Sequence, residues 1–193
     1  MRPWNASLWG SRSAVVALLV LAALAPGCGR PPDENWLRVL QIEKDGVAVA
    51  SLSSVVQTIT ASTKTRTVGA ADEVDVIFDN QSTIVGSKDG IAGGVTVDQV
   101  RILYQVNGYA LPTETFIVTY YVPAGTTGAK DAKLTVTLVS TALKNWLVDN
   151  IPASVLSEGL HASARLVFHA RTDAGSELET EAGIGILFEN SAE

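Results

Sequence analysis

The sequence predicts an all-β fold, an antiparallel sandwich of about seven strands with one short helix. Three observations carry this. β-Branched and aromatic residues recur with period 2 along most of the chain. Gly, Asn and Asp clusters punctuate those runs at short intervals, as at Asp45-Gly46, Asn80-Gln81, Gly93-Gly94, Asn107-Gly108 and Asp173-Ala174-Gly175. A single segment shows helical spacing instead.

In chain order, Trp36 to Glu43 is the first strand and Val47 to Leu52 a short second one. Val74 to Asp79 alternates clearly, and Val95 to Val106 is a long strand broken near Asp98-Gln99. Thr115 to Val122 follows and ends at Pro123, and Lys133 to Val139 alternates again. Thr141 to Val148 places Leu143, Trp146 and Leu147 at helical spacing, so it reads as a helix crossing between the sheets. Pro152 to Leu160 forms a further turn. Ala164 to Ala170 and Leu178 to Phe188 close the fold, and no solenoid or propeller period is present.

The last hairpin has a definite register. A three-residue loop, Asp173-Ala174-Gly175, offers glycine for a left-handed position. Ala170 then lies opposite Leu178, Phe168 opposite Thr180 and Leu166 opposite Ala182, all towards the core. Arg171 lies opposite Glu177 and His169 opposite Glu179 on the other face, where opposite charges contribute roughly 0.2–1 kcal/mol a pair. A slip of one residue would bury Glu177, Glu179 and Glu181.

The chain has 193 residues, 47% of them hydrophobic, and a formal charge of −6. A core of ordinary size is within reach. The acidic balance and the scatter of the basic residues disfavour nucleic acid. The single cysteine, Cys28, precludes a disulfide within the chain.

The N-terminus reads as an address. Arg2 and Arg12 precede an apolar run, Ala14 to Leu24, of signal-peptide length and too short to span a bilayer. Ala25-Pro26-Gly27-Cys28 follows, then the polar, Pro-rich Gly29-Arg30-Pro31-Pro32-Asp33-Glu34-Asn35. This arrangement resembles bacterial lipoprotein precursors. Gly27-Cys28 matches the end of their lipobox, whereas Ala25 stands where leucine is usual and Leu24 is one place early. The resemblance implies cleavage between Gly27 and Cys28 and lipidation of Cys28, with residues 1–27 a signal peptide and 28–35 a tether. It also implies a membrane-anchored protein of the cell envelope. Gly29, in place of an inner-membrane-retaining Asp, favours the outer membrane. Residues 36–193 resemble an immunoglobulin-like (Ig-like) sandwich without the Cys-Trp-Cys core of antibody domains. The layout is also similar to small uncharacterised lipoproteins of Gram-negative bacteria, which brings no known activity.

No residues are expected to be catalytic, to bind a cofactor or to hold a metal. His161 and His169, the only histidines, stand eight apart, off any metal-ligand spacing. His161 is expected in a loop and His169 beside Glu179. Asp72, Glu73 and Asp75 gather three carboxylates at a strand start, open to Ca2+ or to a solvated edge. No G-x-S-x-G occurs. Glu177, Glu179 and Glu181 read as edge protection, and the Gly-rich stretches Gly90 to Gly94 and Gly183 to Gly185 open no helix. Trp36, Trp146, Tyr104, Tyr109, Tyr120 and Tyr121 could line a groove, with one of Tyr120 and Tyr121 exposed. Ser53 to Ala71 is an edge ribbon or a long loop.

The function expected is a non-enzymatic interaction or structural module with an envelope protein as partner. The alternative is a small-ligand or carbohydrate-binding sandwich.

Overall fold

Alternation turns into two facing sheets in the computed structural model, which describes residues 37–60, 65–80, 93–125 and 132–192. The leader, Gly27, Cys28, the tether and Trp36 lie outside the described residues. One sheet is built from β1 (Leu37–Lys44), β2 (Val47–Ala48), β5 (Asp72–Asn80) and β8 (Lys133–Val139), in the order β2-β1-β5-β8. The other contains β3 (Ser51–Thr60), β4 (Thr65–Val68), β6 (Val95–Val106), β7 (Glu114–Val122), β9 (Leu160–Thr172) and β10 (Glu177–Ala192), in the order β4-β3-β10-β9-β6-β7. Two helices, α1 (Thr141–Asn150) and α2 (Ala153–Glu158), carry the chain from β8 in the first sheet to β9 in the second.

The all-β expectation holds, with three corrections. Ten strands stand among the described residues rather than about seven, and two helices rather than one. The fold is not wholly antiparallel, because β3 runs parallel to β10 from Ser51↔Gly185 to Ile59↔Ala192. The expected strand Val47 to Leu52 is divided: Val47–Ala48 closes a hairpin on β1, and the chain then changes sheet. Asp45 (φ 53°) and Gly46 (φ 79°) make that hairpin turn, a left-handed pair that Asp-Gly adopts readily.

The core forms where the sheets face. Val74, Val76 and Phe78 from β5 meet Val97, Val100 and Ile102 from β6, Leu166 and Phe168 from β9, and Phe188 from β10. Phe78 and Phe168 come from opposite sheets and touch edge to face, with ring centroids 5.1 Å apart at 88°. Such a pair adds about 0.5–1.5 kcal/mol beyond its buried area.

The break read near Asp98-Gln99 is a β-bulge. The register of β6 shifts between Val97 and Gln99 against both β7 and β9. Against β9 the extra residue is on β6, and it keeps Val95, Val97, Val100, Ile102 and Tyr104 inward, each 8% exposed or less; against β7 the extra residue is on β7, between Tyr120 and Ile117. The closing hairpin has the expected register at all five pairs, Ala170↔Leu178, Phe168↔Thr180, Leu166↔Ala182, Arg171↔Glu177 and His169↔Glu179. Gly175 takes φ 86°, and its N–H donates to the Thr172 carbonyl at 2.8 Å.

α1 starts where Ser140 Oγ accepts the Leu143 N–H at 3.0 Å. It buries Leu143, Lys144 and Leu147. Pro152 interrupts the backbone after Ile151, and Gly159 (φ 91°) turns the chain from α2 into β9.

Candidate functional site

The most exposed large apolar side chain among the described residues, Ile117, and the exposed Tyr121 lie on one edge strand of the larger sheet. Along β7 the inward set Phe116, Val118 and Tyr120 is half-buried, while Thr115, Ile117, Thr119 and Tyr121 point outward and are exposed. Ile117 is 80% exposed and Tyr121 47%. β7 pairs with β6 on one side, and no other described strand pairs with it.

The other edges differ. β2 has two residues, and β4 has four and carries Arg66. β8 carries Lys133 and runs at once into α1. Short length and cations are the ordinary means of keeping an edge from pairing with another chain. β7 has nine residues, with its single charge at Glu114 and no proline inside. Its sequence, ETFIVTYYV, is rich in strand-forming residues.

Tyr121 lies over Gly94, where a Cβ would overlap the phenol ring. Its hydroxyl donates to Asp173 Oδ2 at 3.3 Å, and the Gly94 N–H reaches the same oxygen at 3.0 Å. Partial burial, and then the Asp173 charge, raise the Tyr121 phenol above its ordinary value. The bulge turns both Asp98 and Gln99 outward. With His169, Arg171, Glu177 and Leu178 they line a shallow polar cleft of about 220 Å³. His169 Nδ1 lies 3.3 Å from Glu179 Oε2, the expected partnership.

The remaining predicted residues do not converge. Asp72, Glu73 and Asp75 are spread over the two faces of β5 and its bulged start. Asp72 Oδ2 takes Lys144 Nζ at 2.8 Å and Ser54 Oγ at 2.6 Å. Asp75 takes Lys133 Nζ at 2.8 Å and Thr135 Oγ1 at 2.7 Å. The Lys133 hydrogen bond, then that of Thr135, hold the Asp75 carboxyl below its ordinary value, and Asp75 in turn raises Lys133. Lysines thus stand where the calcium reading put a cation. Among the described residues no three His, Cys, Asp or Glu side chains gather at metal distance. His161 lies on β9 and not in a loop. Ser53 to Ala71 is the edge ribbon, formed by β3 and β4. Tyr104 is buried, Trp146, Tyr109 and Tyr120 are half-buried against the core, and only Tyr121 of the described aromatic set is exposed. They line no common groove.

Lys144 was not anticipated. It is 1% exposed, and its Nζ donates to the Val55 carbonyl at 2.9 Å and the Ala70 carbonyl at 2.5 Å besides pairing with Asp72. Three N–H groups meet three acceptors, so the cation is fully satisfied and ties α1 to both sheets. A Cβ at Gly69 would overlap the Val55 carbonyl oxygen and stand 3.2 Å from Lys144 Nζ, so this crossing requires glycine. Tyr104 is likewise structural: its hydroxyl lies 2.5 Å from the Leu138 carbonyl and 2.8 Å from Glu114 Oε2, and burial raises its phenol well above the ordinary value.

The chain matches none of the protein-family models, curated proteins or solved structures compared with it.

Proposed function

We propose that this is a lipid-anchored envelope protein whose Ig-like sandwich is a non-enzymatic interaction module, docking an extended strand along β7. The observation that carries the reading is the nine-residue β7 edge with Ile117, its fourth residue, 80% exposed. An edge strand offers a row of N–H and C=O groups that another extended backbone can pair with along its length, and alternate side chains set which one. The anchor rests on the resemblance of Ala14 to Cys28 to lipoprotein precursors. A chain that passes between two facing sheets repeatedly supports the Ig-like arrangement.

The test is cross-linking in the native host with wild type and Cys28→Ala, alongside labelled palmitate. Wild type is expected to take up the label, fractionate with membranes and cross-link through peptides of β7, while Cys28→Ala loses label and membrane. Unlabelled wild type would remove the anchor, and cross-links that never involve β7 would remove the docking edge.

A further inference from the structure

Resting on β7 as a docking edge, we infer that its partner is β7 of a second copy of this chain. The two strands run antiparallel about a two-fold axis at Ile117.

The sequence of the strand is self-complementary about that residue. An axis at Ile117 sets Ile117 opposite itself, Thr115 opposite Thr119 of the other copy, and Phe116 opposite Val118. On the outer face this gives an aliphatic pair between two Thr–Thr pairs, combinations that favour cross-strand pairing. No charged residue falls within Thr115 to Thr119, so no like charges meet. A closed two-fold contact requires one patch to complement itself, and this patch does so residue by residue.

Exposure follows the same pattern. Thr115, Ile117 and Thr119 are all exposed, whereas Phe116 and Val118 are already packed on the core. Pairing covers the outward set without disturbing the inward one. The result is one continuous sheet of twelve strands, six from each copy. An unrelated partner strand would leave the symmetry of Thr115, Ile117 and Thr119 without a cause.

The register gives the experiment its resolution. Directly opposed residues bring their Cβ atoms to about 4.5–5.5 Å, within reach of a disulfide after small adjustment. The whole chain is used in mild detergent, in a Cys28→Ala background, under gentle oxidation. Ile117→Cys is expected to form a covalent dimer. Thr115→Cys alone and Thr119→Cys alone are expected to remain monomeric on a non-reducing gel, because each lies about 13 Å from its own copy. A mixture of those two proteins is expected to cross-link. Val47→Cys, exposed on the smaller sheet, is the control for random collision. Ile117→Lys is expected to convert the dimer to monomer in sedimentation, with circular dichroism unchanged.

Ile117→Cys that cross-links no faster than Val47→Cys, or Thr115→Cys that cross-links with itself, overturns this two-fold. Expressing Ile117→Cys in the host, with Cys28 retained, separates the failures. An adduct of twice the chain mass supports the second copy. An adduct only with a different protein overturns the second copy and leaves the docking edge standing. No adduct overturns both.

Discussion

Two residues show how charge is handled in opposite ways. Lys144 is inside, and its value lies in complete pairing. Removing one partner of a buried pair typically costs about 3–5 kcal/mol, because the other is left behind. Lys144→Ala is therefore expected to lower stability by about 3 kcal/mol in urea titration, since Asp72 retains Ser54 and some solvent. The double variant with Asp72→Ala should lose less than the sum of the two single variants. Strict additivity would mean the pair does not interact. Lys133 and Asp75 stand at the surface, and their signature is pH dependence. Asp75 is held below 3.8, so its contribution is present above that value and lost as pH falls through the lower, folded one. Lys133 is held above 10.5, so its contribution is present below that value and lost as pH rises through the higher, folded one. Lys133→Ala is expected to lower the urea midpoint at neutral pH. The gap from wild type should narrow as pH falls through the folded Asp75 value, below which the carboxyl is protonated in both states. A gap of constant size from neutral to acid pH would assign the loss to packing.

Elements were legible where their determinants are local. The β9–β10 register could be derived because one loop of fixed length, one apolar face and two charge pairs all act within 20 neighbouring residues. The bulge in β6 was visible because alternation fails once and then resumes in the opposite phase. Lys144 was missed although it lies on the stripe of Leu143, Leu147 and Ile151, since a lysine on such a face reads as solvated until its acceptors are known. Those acceptors, Val55 and Ala70, are more than 70 residues away. Ile117 carried a weak signal, as the apolar exception on the Thr115–Thr119 face, but nothing local says whether a neighbour covers it. The bulge yields its own prediction. Deleting Asp98 leaves Val97, Gln99 and Val100 in regular alternation and in register with β9, so the inward set is unchanged, while the mismatch with β7 grows by one residue and is taken up at that edge strand. The variant is expected to fold, with a Tm within about 3 °C of wild type, a shift equivalent to roughly 1 kcal/mol for a domain of this size. Collapse of the fold would show that the extra twist at the bulge, and not merely the phase of the strand, is needed to bring the sheets together.

At the scale of the molecule, the feature hidden from sequence is the parallel pairing of β3 with β10. Pattern reading locates strands, but it does not bring Ser51 beside Gly185 across most of the domain. That pairing makes the last strand central: β10 lies between β9 and β3, and β3 alone attaches β4. The larger sheet is therefore incomplete until the C-terminal strand is in place, and loop closure must be achieved before those contacts stabilise anything. Two consequences follow. Refolding should be slow, in the millisecond-to-second range of non-local β topologies, and stopped-flow fluorescence will measure it. A chain ending at Thr172 should not fold, because β3 and β4 lose their only attachment to the sheet and Phe188 leaves the core. A chain ending at Asn190 keeps Phe188 and pairing up to Asn190↔Gln57, and should give the wild-type circular dichroism spectrum. If the chain ending at Thr172 also gave that spectrum, β10 would be an appendage to a sandwich already complete, and the slow step would have to lie elsewhere.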